Sequence, residues 1–289
     1  MCQSIFIAIP KKPRATECGD HRTISLISHI TKIVLRVLLE RARNRTRNAI
    51  AEEQYGFKRD CGCRNAIFVL RMLGERCIEM QKDLYLCFID YEKAFDSVEH
   101  ETLFTVLENS GIDGKDLRLL QDLYWKQEAA IRINGTIGKW IKIRKGARQG
   151  CGMSPDFFNL YGEEIIKLIK DLEGVRLGGR NVNNLRFADD ATLIADSEEK
   201  LQELLNKLAI ESERKGLKIN IKKTFCMVIA KSKVTPTCRI KLNGNEIKQV
   251  MQFKYLGSMI TSDGKCEKDI TSRIGMAKQH SGNSNRTYK

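Results

Sequence analysis

"LRFADDATLIA", residues 185–195, sets two carboxylates side by side between two apolar runs. Folding alone does not reward that arrangement, because like charges at neighbouring positions repel. Each flanking run has strand length, so the stretch predicts a hairpin with Asp189 and Asp190 exposed at its tip. Asp is also a favoured turn residue for local hydrogen-bonding reasons, and by itself the pair fits an ordinary turn.

A third carboxylate changes that reading. "DLYLCFID" (83–90) is apolar almost throughout, the pattern of a strand buried on both faces, and it ends in Asp90. "DSVEHETLFTVLENSG" (96–111) then predicts a helix that starts at an Asp96/Ser97 cap, turns Leu103, Val106 and Leu107 inward and stops at Gly111. This order puts Asp90 at the carboxyl end of a central strand, a place where functional groups gather. If Asp90 neighbours the Asp189–Asp190 pair, the carboxylates repel each other unless a cation sits among them, and acidic oxygens facing a phosphate form a magnesium site. Two ions about 3.5–4 Å apart would clamp the attacking and leaving oxygens of an in-line phosphoryl transfer, which is polymerase or nuclease chemistry.

The rest of the composition fits a nucleic-acid partner. The 289 residues are 42% hydrophobic, enough for a sizeable core, and carry a formal charge of +14 spread along the chain. The ten cysteines stand singly apart from Cys61 and Cys63, and His21, His29, His100 and His280 lie far apart, so reduced thiols are expected and a structural zinc is not. Cys61 and Cys63 have no assigned role. The longest apolar runs, such as "SIFIAIP" (4–10), are too short to cross a bilayer and read as buried strands. No repeat or Pro-rich linker divides the chain, and "QHSGNSNRTYK" (279–289) is polar enough to predict a disordered tail.

Between these landmarks the pattern is mixed helix and strand. "TKIVLRVLLERARNRTRNAI" (31–50) predicts an amphipathic helix with Ile33, Val34, Val37, Leu38 and Ala42 inward and Arg36, Arg43 and Arg47 outward. A solvated basic face and a nucleic-acid contact fit those arginines equally. Asn134-Gly135 is a two-residue hairpin signal. In "GARQGCGMSP" (146–155), Gly146, Gly150 and Gly152 permit close backbone approach to a ligand, and Ser154 and Pro155 look like N-cap and N1 of a helix carrying Phe158, Tyr161, Ile165 and Leu168. "DSEEKLQELLNKLAIESERKG" (196–216) predicts a helix with a Leu201, Leu204, Leu205, Leu208 stripe and Gly216 just past its end. "LKINIKKTFCMVIA" (217–230) and "MQFKYLGSMI" (251–260) read as strands.

Five stretches, "FIDYEKAFDSV", "GARQGCGMSPDFFNLY", "LRFADDATLIA", "GLKINIKKT" and "FKYLGSMIT", occur in the order of reverse transcriptase motifs A to E. The chain resembles the reverse transcriptase domain of non-LTR (LINE-like) retrotransposons. Upstream, "IPKKPRATECGDHRTISLISHITKIVLRVLLERA" and "EEQYGFKRDCGCRNAI" are similar to that family's fingers motifs, so the resemblance runs from about Ile5 to Lys278. It implies an α+β, right-hand polymerase fold with fingers at about 1–80 and 110–145, a palm with an antiparallel sheet at about 81–109 and 146–262, and a truncated thumb or disordered tail at 263–289.

The resemblance also implies roles. Asp90, Asp189 and Asp190 fall on the metal-binding triad, holding two Mg²⁺ ions with Mn²⁺ as a substitute. Phe95 falls on the steric gate that excludes a 2′-hydroxyl, where an ordinary core Phe is the alternative. Arg148, Gln149 and Gly150 fall on the floor under the nascent base pair. Lys12, or Lys11 in its place, and Arg22 align with cations that grip the triphosphate. Lys223, with Lys222 beside it, is the candidate general acid for pyrophosphate, where a solvated lysine is the alternative. The family pattern departs at His21 and Thr23 in the fingers and at Ala147 and Gly152 in the palm.

The expected function is RNA-directed DNA polymerase, adding dNTPs to a primer 3′-hydroxyl. The expected partners are an RNA template, a DNA primer and dNTPs, with no membrane, a nuclear location, and upstream endonuclease and template-binding segments in the full-length element. The rivals are an inactive, truncated remnant that binds nucleic acid through its charge, and a two-metal nuclease, which needs neither Phe95 nor the "RQG" floor.

Overall fold

The computed structural model describes residues 3–147, 151–232 and 234–284. In chain order its elements are β1 (Gln3–Pro10), β2 (His21–Leu26), α1 (His29–Thr46), α2 (Cys63–Glu79), β3 (Leu84–Ile89), α3 (Ala94–Ser97), α4 (His100–Asn109), α5 (Gly114–Trp125), β4 (Glu128–Ile133), β5 (Thr136–Ile137), β6 (Ile141–Lys142) and α6 (Ser154–Ile166). Then follow β7 (Val175–Leu177), β8 (Arg180–Val182), β9 (Asn184–Phe187), β10 (Asp190–Ala195), α7 (Glu198–Arg214), β11 (Phe225–Ile229), β12 (Lys241–Leu242), β13 (Asn245–Glu246), β14 (Lys248–Gln249), β15 (Gln252–Tyr255), β16 (Ser258–Thr261) and α8 (Glu267–Ser284). They divide into two compact units, one of residues 1–58, 91–169 and 208–219, the other of residues 59–90, 170–207 and 220–289.

The second unit is built on a sheet in the order β14-β11-β3-β10-β9. β3 lies at its centre, paired antiparallel with β10 and β11, and its apolar run is buried on both faces as the sequence predicts. The sheet is antiparallel except at its β11–β14 edge. Leu201, Leu204 and Leu205 of α7 are fully buried, and Gly216, just past the helix, takes the left-handed conformation expected of a C′ glycine. "LKINIKKT" is not a strand but an extended segment followed by a single 3-10 turn, Ile221–Lys223, and the strand pattern begins at Phe225. α8 runs through Ser284, so the polar composition of 279–284 does not prevent a helix there. Residues 285–289 lie outside the described residues.

The first unit carries the sheet β2-β1-β4-β5, with β6 also on β4. Asn134 and Gly135 take positive φ at the β4–β5 turn, as a type I′ turn requires. β1 is only half buried, against the expectation of a buried strand, because one face of this sheet leaves Ile9, Ile24, Leu26 and Ile137 partly in solvent.

Three local readings are corrected. α1 buries Leu35, Leu38, Leu39 and Ala42, while Ile33 and Val37 are 65% and 50% exposed. The helix has two apolar stripes, and the leucine one wins because it buries the longer run. Its arginines are also not simply solvated: Arg43 makes a two-point contact with Asp156 at 2.7 and 3.0 Å, Arg41 binds Asp116 at 3.1 Å, and Arg45 binds Asp113. The helix predicted from Asp96 is broken at Val98 and restarts at His100, because Ser97 spends its hydroxyl on the carbonyl of Glu92. α6 begins at Ser154, one residue beyond its Met153 cap, and Leu168 lies past its end and is exposed.

Candidate active site

The three acidic positions lie at one end of the β3–β10 pair. Ala191 stands opposite Ile89, so one step further along the antiparallel ladder brings Asp190 opposite Asp90. On the other side Asp190 pairs with Phe187, which leaves Ala188 and Asp189 as the hairpin tip. Ala188 sits at φ 57°, a left-handed conformation that costs an L-residue roughly 1–2 kcal/mol and here turns the acidic pair outward. The expected hairpin is present, but only Asp190, the first residue of β10, is exposed, while Asp189 at the tip is half-buried.

The neighbouring carboxylates act on one another electrostatically. The Asp190 carboxyl is pushed up to about 6, first by protein that shuts out water, then by the negative charges of Asp189 and Asp90. Such a set offers hard oxygen donors, which suits a divalent cation. Among the described residues no group of three or more His, Cys, Asp or Glu side chains is arranged to hold a metal ion as it stands. Magnesium does not need a closed cage, since it keeps waters and takes one or two carboxylates together with substrate phosphate. The donor set fits.

The segment bearing Lys222 and Lys223 is tied to Asp90 by backbone. Asn220 N–H donates to the Asp90 carbonyl at 2.7 Å, and Asp90 N–H donates to Thr224 Oγ1 at 3.4 Å. Both lysines are exposed on the turn between those bonds. Asp90, Asp189, Asp190 and Lys223 thus belong to one unit.

The nucleotide-side candidates belong to the other. Lys12 is 61% exposed and paired with Asp20 at 2.8 Å, while Lys11 Nζ donates to the Gly19 carbonyl at 3.0 Å, so each lysine closes the loop between β1 and β2. Arg22 is exposed on β2, opposite Ile9. Phe95 is half-buried on α3 and stacks on Phe158 of α6, with centroids 4.4 Å apart and planes at 25°. Arg148, Gln149 and Gly150 lie outside the described residues.

The approach to that loop holds features the sequence did not reveal. Ala147 N–H donates to the Phe95 carbonyl at 2.6 Å, Gly146 N–H to the Val98 carbonyl at 2.7 Å, and buried His100 Nε2 meets the Gly146 carbonyl at 3.1 Å. Burial lowers the His100 pKa, which keeps the ring neutral. Gly146, at φ 102°, is needed because a Cβ there would stand 3.2 Å from the Asp96 carbonyl oxygen. Its close approach is to backbone rather than to a ligand, and Gly152 has open space around it. The only sequence signal for this anchoring was the glycine.

Comparison with known proteins identifies the family. The sequence profile of the family described as reverse transcriptase (RNA-dependent DNA polymerase) matches residues 9–260. The chain is 26% identical over 274 residues to the retrovirus-related Pol polyprotein from type-1 retrotransposable element R2 of Nasonia vitripennis, covering 91% of this chain and 26% of that protein. It is 26% identical over 283 residues to the polyprotein from type-2 element R2DM of Drosophila melanogaster, covering 95% and 26%. The chain thus spans about a quarter of the length of these relatives. Among solved structures, apo telomerase from Candida tropicalis superposes with a TM-score of 0.62 at 14% identity, over 90% of this chain and 47% of that one. At that identity the likeness is one of fold, and the fold is the right-hand polymerase fold expected from the sequence.

Proposed function

Because the chain belongs to the reverse transcriptase (RNA-dependent DNA polymerase) family, of the kind found in non-LTR retrotransposons, we propose that it copies RNA into DNA by adding dNTPs to a primer 3′-hydroxyl. The observation that carries this reading is the strand register that sets Asp190 opposite Asp90, with Asp189 beside it, at the end of β3 and β10. A divalent metal goes with the family, and two Mg²⁺ ions are the proposed pair. Bound there, they neutralise phosphate charge and activate the hydroxyl.

The chain's own residues do the rest. Asp90 and Asp189 are the principal ligands, and Asp190 supports them. Lys223 would give a proton to the pyrophosphate oxygen as the bond breaks. Lys12 would exchange Asp20 for the triphosphate, a charge-assisted contact of the same kind, with Arg22 as the second cation. Phe95, backed by Phe158, would close against C2′ of the incoming sugar, and Arg148, Gln149 and Gly150 would floor the base pair. The hairpin β15–β16, which carries the motif "FKYLGSMIT", would seat the primer terminus. A nuclear site of action and further domains of the R2 kind belong to the same proposal.

Incubation of a labelled primer on an RNA template with dNTPs and Mg²⁺ separates the readings. Extension is expected. Shortening would point to a nuclease, and retention without any length change would point to binding alone.

A further inference from the structure

The second unit holds a partly buried ionic cluster that the chemistry above does not use. Arg71, inside α2, reaches three acceptors: Ser258 Oγ at 2.9 Å, Cys266 Sγ at 3.0 Å and Asp269 Oδ2 at 3.1 Å. Asp269, 7% exposed near the start of α8, accepts the Met259 N–H on Oδ1 at 2.8 Å and, beside Arg71, Arg273 Nε on Oδ2 at 3.0 Å. We propose that Arg71 and Asp269 are a positioning pair that fixes the turn of the β15–β16 hairpin, and through it the primer 3′ terminus. This rests on reading that hairpin as the primer's seat.

The hairpin cannot set its own place. It has four residues in each strand, and an isolated two-stranded ribbon that short is marginal in water. One anchor is aromatic: Phe253 stacks on Phe88 with centroids 4.1 Å apart and lies 5.8 Å from Phe225. Phe88 is two residues before Asp90 on the same strand, so this anchor refers the hairpin directly to the carboxylates. By itself a stacked ring leaves the far end free to pivot. The ionic cluster grips that far end, at the two residues that follow the Leu256-Gly257 turn. A guanidinium suits the task because its rigid fork fixes direction as well as distance, which an ammonium does not. Alternation turns Phe253 and Tyr255 inward and leaves Gln252 and Lys254 exposed, on a face open to a phosphate backbone.

The test uses a DNA primer ending in 4-thiothymidine on an RNA template, photocrosslinked to the full chain, with wild type beside Arg71→Ala, Arg71→Lys and Ser258→Ala. Crosslinking to residues 252–261 is expected to fall about tenfold in Arg71→Ala and less in the other two, while duplex affinity holds. Extension at saturating dNTP should slow by roughly 10- to 100-fold with the KM for dNTP unchanged, as a displaced terminus requires. Wild-type crosslinks in variants that melt like wild type would overturn the inference, as would a primer terminus that never crosslinks to 252–261. Crosslinking, affinity and melting temperature that all fall together would also overturn it, since that is a purely structural role. Should Arg71→Ala not fold, Ser258→Ala and Arg71→Lys decide. Crosslinks that follow Arg71 in a wild type that incorporates no dNTP would sink the polymerase reading and leave the positioning pair standing.

Discussion

The two large sheets of this protein treat water differently. The β14-β11-β3-β10-β9 sheet buries nearly every residue of β3, β10 and β11, while the β2-β1-β4-β5 sheet leaves Ile9, Ile24, Leu26 and Ile137 partly exposed on one face. Asp90, Asp189 and Asp190 stand on the first, and Lys11, Lys12 and Arg22, the cations proposed to meet the nucleotide, stand on or beside the second. Core packing imposes the geometry of Asp90, Asp189 and Asp190, whereas Lys11 and Lys12 are held by contacts within their own loop. The proposed metal ligands are thus built on a tightly packed frame, while the proposed nucleotide cations are held by exposed pairs, which are weak.

The largest effect expected from this contrast is chemical. Asp189→Ala should remove several kcal/mol of charge stabilisation, or roughly 10³-fold in incorporation rate at about 1.4 kcal/mol per tenfold, with folding intact. Steady-state primer extension beside a thermal melt checks both halves. A variant that lost activity only by unfolding would break the claim that these charges serve chemistry rather than structure.

Next comes the core of the first-named sheet. Leu86→Ala, at a fully buried position, should cost about 2–5 kcal/mol, while Leu26→Ala, at a position 45% exposed, should cost under about 1 kcal/mol. Urea unfolding of the two variants measures the difference, and equal losses would erase the distinction between the sheets.

Phe95→Ala tests the half-buried ring on α3. A steric gate predicts that discrimination against ribonucleotides drops by roughly 10²-fold with dNTP use retained, since a pocket wall rejects an added hydroxyl by about that much. A change in stability alone would make Phe95 an ordinary partner of Phe158.

The smallest effect is one of pH. Burial works against the Asp269 charge, but the Met259 N–H, Arg273 and Ser258 outweigh it and hold the carboxyl down at about 2. A folded pKa below the unfolded one near 3.9 contributes stability above about pH 4, and that stability is lost as pH falls through about 2. Asp269→Asn should therefore lower stability by roughly 2 kcal/mol at pH 7, with the gap to wild type closing towards pH 2. A gap that stays constant with pH would mean that the carboxylate charge is not what the site uses.

Much of this molecule could be read from local pattern. The run at 84–89 and the hairpin around Asp189 are legible because burial on both faces and a two-strand period leave few alternatives. α1 misled because Ile33 and Val37 form one apolar stripe while Leu35, Leu38, Leu39 and Ala42 form another, and periodicity does not say which the core will take. Val98 and Leu168 misplaced helix ends, since a cap depends on which partner a side chain chooses. Arg71 and Asp269 stand 198 residues apart, so no spacing in the sequence could announce their contact. The triad itself was visible residue by residue, but the pairing of β3 with β10 that unites it is a long-range fact.

The most direct test of the site is incorporation of labelled dTTP on poly(rA)/oligo(dT) with Mg²⁺, comparing wild type with Asp189→Ala and Asp190→Ala. Incorporation by wild type, abolished in Asp189→Ala and reduced in Asp190→Ala, is the expected result. A folded wild type that incorporates nothing, or an Asp189→Ala variant that incorporates as well as wild type, would contradict the assignment of these carboxylates to polymerase chemistry.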